Sequence, residues 1–235
     1  MSKFITPTCQ NCPNRKGPLM GCCQLNELDF IATNKVSQSY QKGQRIFQEG
    51  GNALGLHCVN QGKIKLIKTS SDGKEQITRL VKAGDMLGFQ SVVAETKYTT
   101  SAVALDDCVV CFIPRADFFR VWQSNPQFST LLMQMMAKAL GAAEGQMLSL
   151  AYKPVRERLA EALLLLAHTF GEEGEGQRFS MSISREDLAS LVGTAKETAI
   201  RLLSELKDSG IIATRGSQLT ILDMNALSRI AALHD

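Results

Sequence analysis

The spacing of apolar residues changes at Pro126, and this change sets the strongest limit on the fold. Between about residues 38 and 114, short apolar runs alternate with glycine-containing turns, a pattern typical of an all-β barrel or double-sheet roll. Within residues 63–68, apolar and basic side chains alternate as in a half-buried strand. After Pro126 the apolar residues recur every three to four positions as far as Leu150, which predicts a long helix. The sequence therefore predicts an α+β protein.

The predicted helix carries an apolar seam without a charged residue. Its members repeat at the a and d spacing of a coiled coil and are Met133, Met136, Leu140, Ala143, Met147 and Leu150. Packing of this face against the helix's own domain is the alternative explanation. Gly141 and Gly145 lie beside the seam and allow close backbone approach, so we favour a homodimer packed along this helix.

The C-terminal third has the pattern of a winged helix-turn-helix. Ser184 is placed to cap one helix, and Gly193 ends it. A second helix, capped from Thr194 onward, runs to about Gly210. Two short β-like runs follow and predict a wing.

The free face of the second helix predicts DNA recognition. Arg201 suits a guanine edge, and Glu197 can accept a hydrogen bond from cytosine. The predicted DNA-contacting set is Arg185, Thr194, Lys196, Glu197, Ile200 and Arg201, in which Arg185, Thr194 and Lys196 are placed for phosphates. A solvated amphipathic helix is the alternative, but the preceding helix, turn and wing favour DNA. The net charge of the chain is only +3, so binding must depend on a few placed groups and on salt concentration.

The seven cysteines are unevenly placed. Cys9, Cys12, Cys22 and Cys23 lie in the first 23 residues, and the others are Cys58, Cys108 and Cys111. The chain has neither a membrane-length apolar run nor a signal-peptide pattern, so we expect a cytoplasmic protein without membrane contact. A reducing cytoplasm argues against structural disulfides.

Four thiolates can instead complete a zinc site or ligate an iron–sulfur cluster. The cysteine-rich leader, residues 1–30, could alone supply four cysteine ligands. However, the adjacent residues Cys22 and Cys23 rarely reach one centre together. A fourth ligand from Cys108 or Cys111 is therefore the alternative. Cys58 is interpreted as a small core residue, because free cysteine is commonly buried.

Several segments resemble the CRP/FNR family of bacterial transcription regulators. They are residues 40–47 (YQKGQRIF), 62–65 (GKIK), 73–77 (GKEQI), 83–89 (AGDMLGF), 155–160 (VRERLA) and the helix-turn-helix at 184–210. The resemblance implies a cysteine-rich leader at 1–30, a cyclic-nucleotide-binding-like double-sheet β-roll at 31–122, a dimerisation helix at 123–152 and a winged helix-turn-helix at 153–235. It also implies a non-enzymatic homodimer that binds palindromic double-stranded DNA and RNA polymerase.

The resemblance also bears on the effector. Family members that bind cyclic nucleotides carry a glutamate after the roll's glycine and an arginine further on. Phe89 follows Gly88 here, and residues 100–102 (TSA) lack the arginine, so cAMP is not expected because its buried phosphate would be unpaired. The oxygen-sensing branch has three leader cysteines and one in the strand before an Ile-Pro. The implied ligands of a [4Fe–4S] cluster are Cys9, Cys12, Cys111 and either Cys22 or Cys23.

Departures from the family pattern keep other hypotheses open. The spacing from Cys12 to Cys22 is longer than in the oxygen-sensing branch, so structural zinc or a thiol switch is an alternative. A regulator with a small-molecule or nucleotide effector in the roll is another, and a thiol or metal redox enzyme is the least favoured. Ile200 stands where that branch has a serine, which predicts a different DNA half-site. The uninterrupted apolar seam also suggests dimerisation without the cluster.

Overall fold

The computed structural model describes residues 8–17, 19–171 and 178–232 and divides into two compact units. The first unit comprises Met1–Lys68 and Val81–Gly141, and the second comprises Thr69–Leu80 and Ala142–Asp235. Residues 1–7 and 18 of the predicted leader lie outside the described residues. The same holds for residues 172–177 and 233–235 of the predicted DNA-binding region.

The part of the chain before Arg115 is mostly β-structure. Its strands are β1 (Val36–Tyr40), β2 (Arg45–Phe47), β3 (Gly55–Gln61), β4 (Ile64–Thr69), β5 (Glu75–Val81), β6 (Met86–Leu87), β7 (Ser101–Ala104) and β8 (Cys108–Pro114). Two 3₁₀ turns precede them, Pro13–Lys16 and Met20–Cys22, and the helices are α1 (Leu25–Asn34) and α2 (Phe89–Val93). The expected alternation of strands and glycine turns is confirmed.

The strands form two antiparallel sheets. One sheet runs in the order β1-β8-β3-β6, and the other places β7 between β2 and β4. Apolar side chains fill the interior between them, including Val59, Ile64, Leu87 and Val110. This arrangement confirms the predicted double-sheet roll, in which the alternating positions of each strand point into a shared core.

A second core joins the cysteine-rich segment to two further helices, α3 (Arg115–Ser124) and α4 (Pro126–Tyr152). Its buried residues come from the cysteine-rich segment, α1, α3 and α4 and include Cys9, Leu19, Cys23, Leu28, Ile31, Phe118, Val121, Phe128 and Leu132. Helix α1 was not predicted from the sequence, and its start is fixed by the Glu27 carboxylate accepting from the Gln24 amide at 2.7 Å. The leader is therefore packed against the start of α4.

The remaining elements belong to the second unit. They are α5 (Val155–Phe170), β9 (Phe179–Ser182), α6 (Arg185–Val192), α7 (Lys196–Asp208), β10 (Ile212–Arg215), β11 (Gln218–Ile221) and α8 (Met224–Ala231). The Ser184 hydroxyl caps α6 by accepting from the Asp187 amide at 2.9 Å, and Gly193 ends it at a φ of +70°. Strands β9, β10 and β11 form the wing in the order β10-β11-β9.

Two details of the second unit differ from the sequence-based expectation. Helix α7 is preceded by Ala195, and no side chain caps it, so Thr194 is not the cap. The Thr194 amide instead donates to the Ala189 carbonyl at 3.1 Å, within the turn that follows α6. Helix α8, which packs on α5, was not predicted. Among the described residues, none of the helices has the length and apolar character of a membrane span.

Candidate cysteine site and nucleic-acid interface

Four cysteines line one cavity of the first unit. They are Cys9, Cys12, Cys58 and Cys111. Cys9 and Cys111 are buried, whereas Cys12 and Cys58 are half-buried. The fold thus brings three predicted ligands together and adds Cys58, for which the sequence predicts a core position.

Sheet register places two of these cysteines side by side. Cys58 on β3 lies directly opposite Cys111 on β8 in the antiparallel pair. Residues opposite each other share a face of the sheet, with Cβ atoms about 4.5–5.5 Å apart. Cys108, three residues earlier on β8, faces the roll core instead. The pairing of β3 with β8 is the signal that could have identified Cys58, and it is not visible in the sequence.

The leader brings the other two cysteines to this sheet. Cys12 directly precedes the 3₁₀ turn Pro13–Lys16, and Asn14 within this turn donates through Nδ2 to the Asn60 carbonyl at 2.6 Å. The Asn60 side chain in turn donates to Cys12 Sγ at 3.3 Å. These two contacts attach the leader to the end of β3.

Polar groups also surround the sulfur of Cys111. The Ser37 hydroxyl shares a hydrogen bond with Cys111 Sγ at 3.2 Å, and Lys35 Nζ lies 3.9 Å from the same atom. Donors and a positive charge beside a thiolate stabilise its negative charge. Such outer contacts orient metal-ligating side chains and adjust the properties of the bound group.

Burial favours the protonated form of two cavity thiols, Cys9 and Cys58. Desolvation raises the pKa of Cys9 and of Cys58, the other cavity thiols add to the rise, and the charge of Lys35 opposes it. Metal coordination requires thiolates, so loading would release protons. Among the described residues, no group of three or more His, Cys, Asp or Glu side chains is arranged to hold a single metal ion. In a four-iron cluster each thiolate binds a separate iron, so the ligands surround the group.

The remaining leader cysteines, Cys22 and Cys23, belong to the core beside the cavity, and Cys9 belongs to both. Both sulfurs donate to the Leu19 carbonyl, Cys22 Sγ at 3.1 Å and Cys23 Sγ at 3.6 Å. Burial raises the pKa of Cys23 to about 12. Of the seven cysteines, all of which the structure describes, Cys22, Cys23 and Cys108 are not among the residues that line this cavity. A ligand role for Cys22 or Cys23 stays a prediction.

Helix α7 presents the predicted recognition face to solvent. Glu197, Ile200 and Arg201 are exposed, whereas the opposite face is buried and consists of Ala199, Leu202, Leu203 and Leu206. Arg201 Nη1 pairs with Glu205 Oε1 at 2.5 Å along the same face.

The predicted phosphate contacts have partners within the second unit. Lys196 forms an ion pair with Glu186 on α6. Arg185 Nη2 donates to the Gly216 carbonyl at 3.1 Å, which ties α6 to the wing turn. Thr194 is half-buried beside the start of α7. DNA contact by these residues stays a prediction.

The apolar seam of α4 lies on the surface of the single chain. Met133, Leu140 and Met147 are 60%, 62% and 70% exposed, Ala143 and Leu150 are also exposed, and Met136 is half-buried. Exposed apolar residues at a and d spacing over several turns are unusual on a monomer surface. This face has the character expected of an interface.

Two features of the roll bear on nucleotide binding. Phe89 is fully buried at the start of α2, and the Ser101 hydroxyl accepts from the Glu49 amide at 2.9 Å. Phe89 therefore packs into the protein, and the Ser101 hydroxyl has its hydrogen-bond partner within the roll.

Comparison with protein families gives two matches that together span most of the chain. Residues 37–125 match the cyclic nucleotide-binding domain, and residues 157–230 match the Crp-like helix-turn-helix domain. These segments coincide with the roll and with the helix-turn-helix and wing.

Individual relatives match over most of their own length. The chain is 31% identical over 209 residues to the fumarate and nitrate reduction regulatory protein of Yersinia pestis, covering 88% of this chain and 82% of that protein. Identity and coverage are the same for electron transport regulator A of Shewanella oneidensis. Among solved structures, FixK2 from Bradyrhizobium japonicum has a TM-score of 0.74 at 28% identity and covers 83% of this chain and 96% of that one.

Proposed function

Because the chain belongs to the CRP/FNR family of DNA-binding transcription regulators, we propose that it responds to oxygen or redox state through an iron–sulfur cluster. Its relatives are regulators rather than enzymes, and this chain is a regulator of the same type. A bound cluster supplies an iron centre that is sensitive to oxidants. The names of two relatives refer to fumarate and nitrate reduction and to electron transport, which supports a redox signal.

The observation that carries this proposal is the clustering of cysteines in one cavity. Cys9, Cys12 and Cys111 are the three proposed ligands that line it together, and a further cysteine completes the set. Four thiolates are the usual ligands of a [4Fe–4S] cluster. The nearby donors Ser37 and Asn60 and the charge of Lys35 suit a group bound through thiolates.

A buried asparagine connects the leader with the dimerisation helix. Asn125 donates through Nδ2 to the Cys22 carbonyl at 3.2 Å and to the Glu27 carboxylate at 2.9 Å. Its Oδ1 accepts from the Phe128 amide at 3.0 Å in the first turn of α4. Because this side chain contacts both elements, the order of the leader and the position of the start of α4 are coupled.

We propose that the cluster acts through this connection. Cys9 and Cys12 would hold the cluster from the leader, so a bound cluster would order the leader, and Asn125 links the leader to the start of α4. In a dimer, α4 would in turn set the spacing of the two recognition helices. If only a fraction of apo-dimers has the correct spacing, the apparent DNA affinity falls by that fraction. The apolar seam of α4 keeps the dimer together in both states.

The DNA-binding mode follows from two-fold symmetry. A homodimer that pairs the α4 seams presents two copies of α7 to a palindromic site, one per half-site. In this proposal Glu197, Ile200 and Arg201 contact bases, whereas Arg185, Thr194 and Lys196 contact phosphates. RNA polymerase is the proposed protein partner, and the proposed location is the cytoplasm.

The proposal also assigns a role to each segment of the chain. It assigns residues 1–30 to the sensor leader, 31–122 to the roll, 123–152 to the dimerisation helix and 153–235 to DNA binding.

Metal analysis of anaerobically purified protein tests the proposed function. We expect about four iron and four sulfide per chain and little zinc, because each thiolate of the site binds one iron. The matched control is the same preparation after chelator treatment, which should lose both. Stoichiometric zinc, or neither iron nor sulfide after anaerobic reconstitution, would overturn the proposal.

A further inference from the structure

Building on the proposed cluster, we infer that Cys58 is its fourth thiolate ligand and that Cys22 and Cys23 are not ligands. The first reason is location. Cys58 lines the same cavity as Cys9, Cys12 and Cys111, whereas neither Cys22 nor Cys23 does so in the described chain. The cavity therefore holds the number of thiols that a four-iron cluster requires.

The second reason is the fixed geometry of the sheet. Cys58 and Cys111 are opposite each other on β3 and β8, and the register continues through the neighbouring pairs His57–Phe112 and Val59–Val110. Their side chains must therefore share a face. A cluster bound to Cys111 on this face meets Cys58 as the cross-strand neighbour.

The third reason is the position of Cys22 and Cys23. The Cys22 carbonyl accepts from Asn125, and both sulfurs donate to the Leu19 carbonyl, so this segment is held on the α1 and α4 side of the leader. Cys23 packs in the apolar core with Leu19 and Leu28, a core that also contains Cys9, but unlike Cys9 it does not line the cavity. These contacts give both cysteines a role in packing the leader.

The resulting ligand set has a mechanical consequence. Two of these ligands belong to the leader, and two belong to adjacent strands of the roll, so a bound cluster would link the leader to the roll. Asn14, which donates to the Asn60 carbonyl, is a second and weaker link at the same place. Without the cluster, the pairing of β3 with β8 would remain, and the leader would keep only its own contacts, such as that of Asn14.

A triple variant tests this ligand set without changing any proposed ligand. Cys22→Ser/Cys23→Ser/Cys108→Ser retains only Cys9, Cys12, Cys58 and Cys111. After anaerobic reconstitution of the full chain, we expect wild-type iron and sulfide content and a wild-type visible absorption spectrum. A folded triple variant that loses most of its iron and sulfide would overturn the inference.

The converse variants are Cys58→Ser and Cys58→Ala, with Cys108→Ser as the matched control on the same sheet. Both Cys58 variants should lose most of the iron and sulfide and the wild-type absorption spectrum, while Cys108→Ser keeps them. Circular dichroism melting checks that each variant folds. If folded Cys58 variants keep the wild-type content, Cys58 is not a ligand; if they do not fold, the triple variant alone decides.

The outcomes separate this inference from the proposed function. Wild-type protein with a cluster that depends on Cys22 or Cys23 overturns only the assignment of Cys58. Wild-type protein without iron and sulfide overturns the proposed function, and the inference with it.

Discussion

The cysteine cavity and the recognition face of α7 differ in how the fold assembles them. The recognition face lies within one helix of 13 residues, where side-chain period alone places Glu197 and Arg201 together. The cavity combines the leader with β3 and β8, which are distant in sequence. A substitution in α7 should therefore change single contacts, whereas one in the cavity should disable the site as a whole.

The largest expected effect belongs to the cavity. Cys111→Ser should remove most of the iron and sulfide, because one missing thiolate leaves an iron without its protein ligand. Iron and sulfide analysis after anaerobic purification measures this. Cys108→Ser, three residues earlier on β8 and facing the roll core, is the matched control. Equal losses in both variants would mean that damage to the sheet, not ligation, explains the result.

Next in size is the effect of a charge in the α4 seam. Leu140→Glu should dissociate the dimer, because two-fold symmetry places the two carboxylates in one apolar interface. Sedimentation should then give the mass of one chain, 25.7 kDa. Lys138→Glu, an exposed position off the seam, should remain dimeric. An unchanged mass for Leu140→Glu would show that the seam is not the interface.

Within α7, Arg201→Ala should reduce discrimination at a single base pair by about 1–3 kcal/mol, since the lost guanidinium makes paired hydrogen bonds to guanine. Fluorescence anisotropy with a selected palindromic site and its single-base variants measures this preference. Discrimination at the other base pairs of the site should equal that of the wild type. Discrimination identical to wild type at every position would contradict the assignment of α7 as the recognition helix.

The connection between the leader and the start of α4 should be sensitive to Asn125. Asn125→Ala leaves the Cys22 carbonyl and the Phe128 amide without their partner, so we expect a loss of about 1–3 kcal/mol in the free energy of unfolding. Urea unfolding measures the loss. Gln134→Ala, exposed on the same helix, should have little effect. Equal stability of both variants would remove Asn125 from the proposed connection.

The smallest expected effect is that of Lys196→Ala. It should weaken binding to all DNA sequences alike and lower the slope of log affinity against log salt by about 1, since one phosphate contact is lost. Its ion pair with Glu186 is exposed, so stability should hardly change. A change in base preference would contradict a phosphate role.

The contrast between a site within one helix and a site assembled from distant segments explains which features the sequence could predict. The roll, the long helix and the recognition face follow from local apolar periods, and the family resemblance located Cys111. The position of Cys58 opposite Cys111 was not predicted, because it depends on the register of β3 against β8. Helix α1 was missed because cysteines, prolines and glycines dominate the segment before it, while its stability comes from the core shared with α4.

The central claim, that the cysteine site controls DNA binding, is tested most directly by measuring DNA affinity before and after exposure to air. The probe is a palindromic site selected from random DNA by the anaerobic protein, and iron content and sedimentation are followed on the same sample. We predict that affinity falls at least about tenfold as iron is lost, while the mass of the dimer stays constant. Equal affinities before and after the loss of iron would contradict the account.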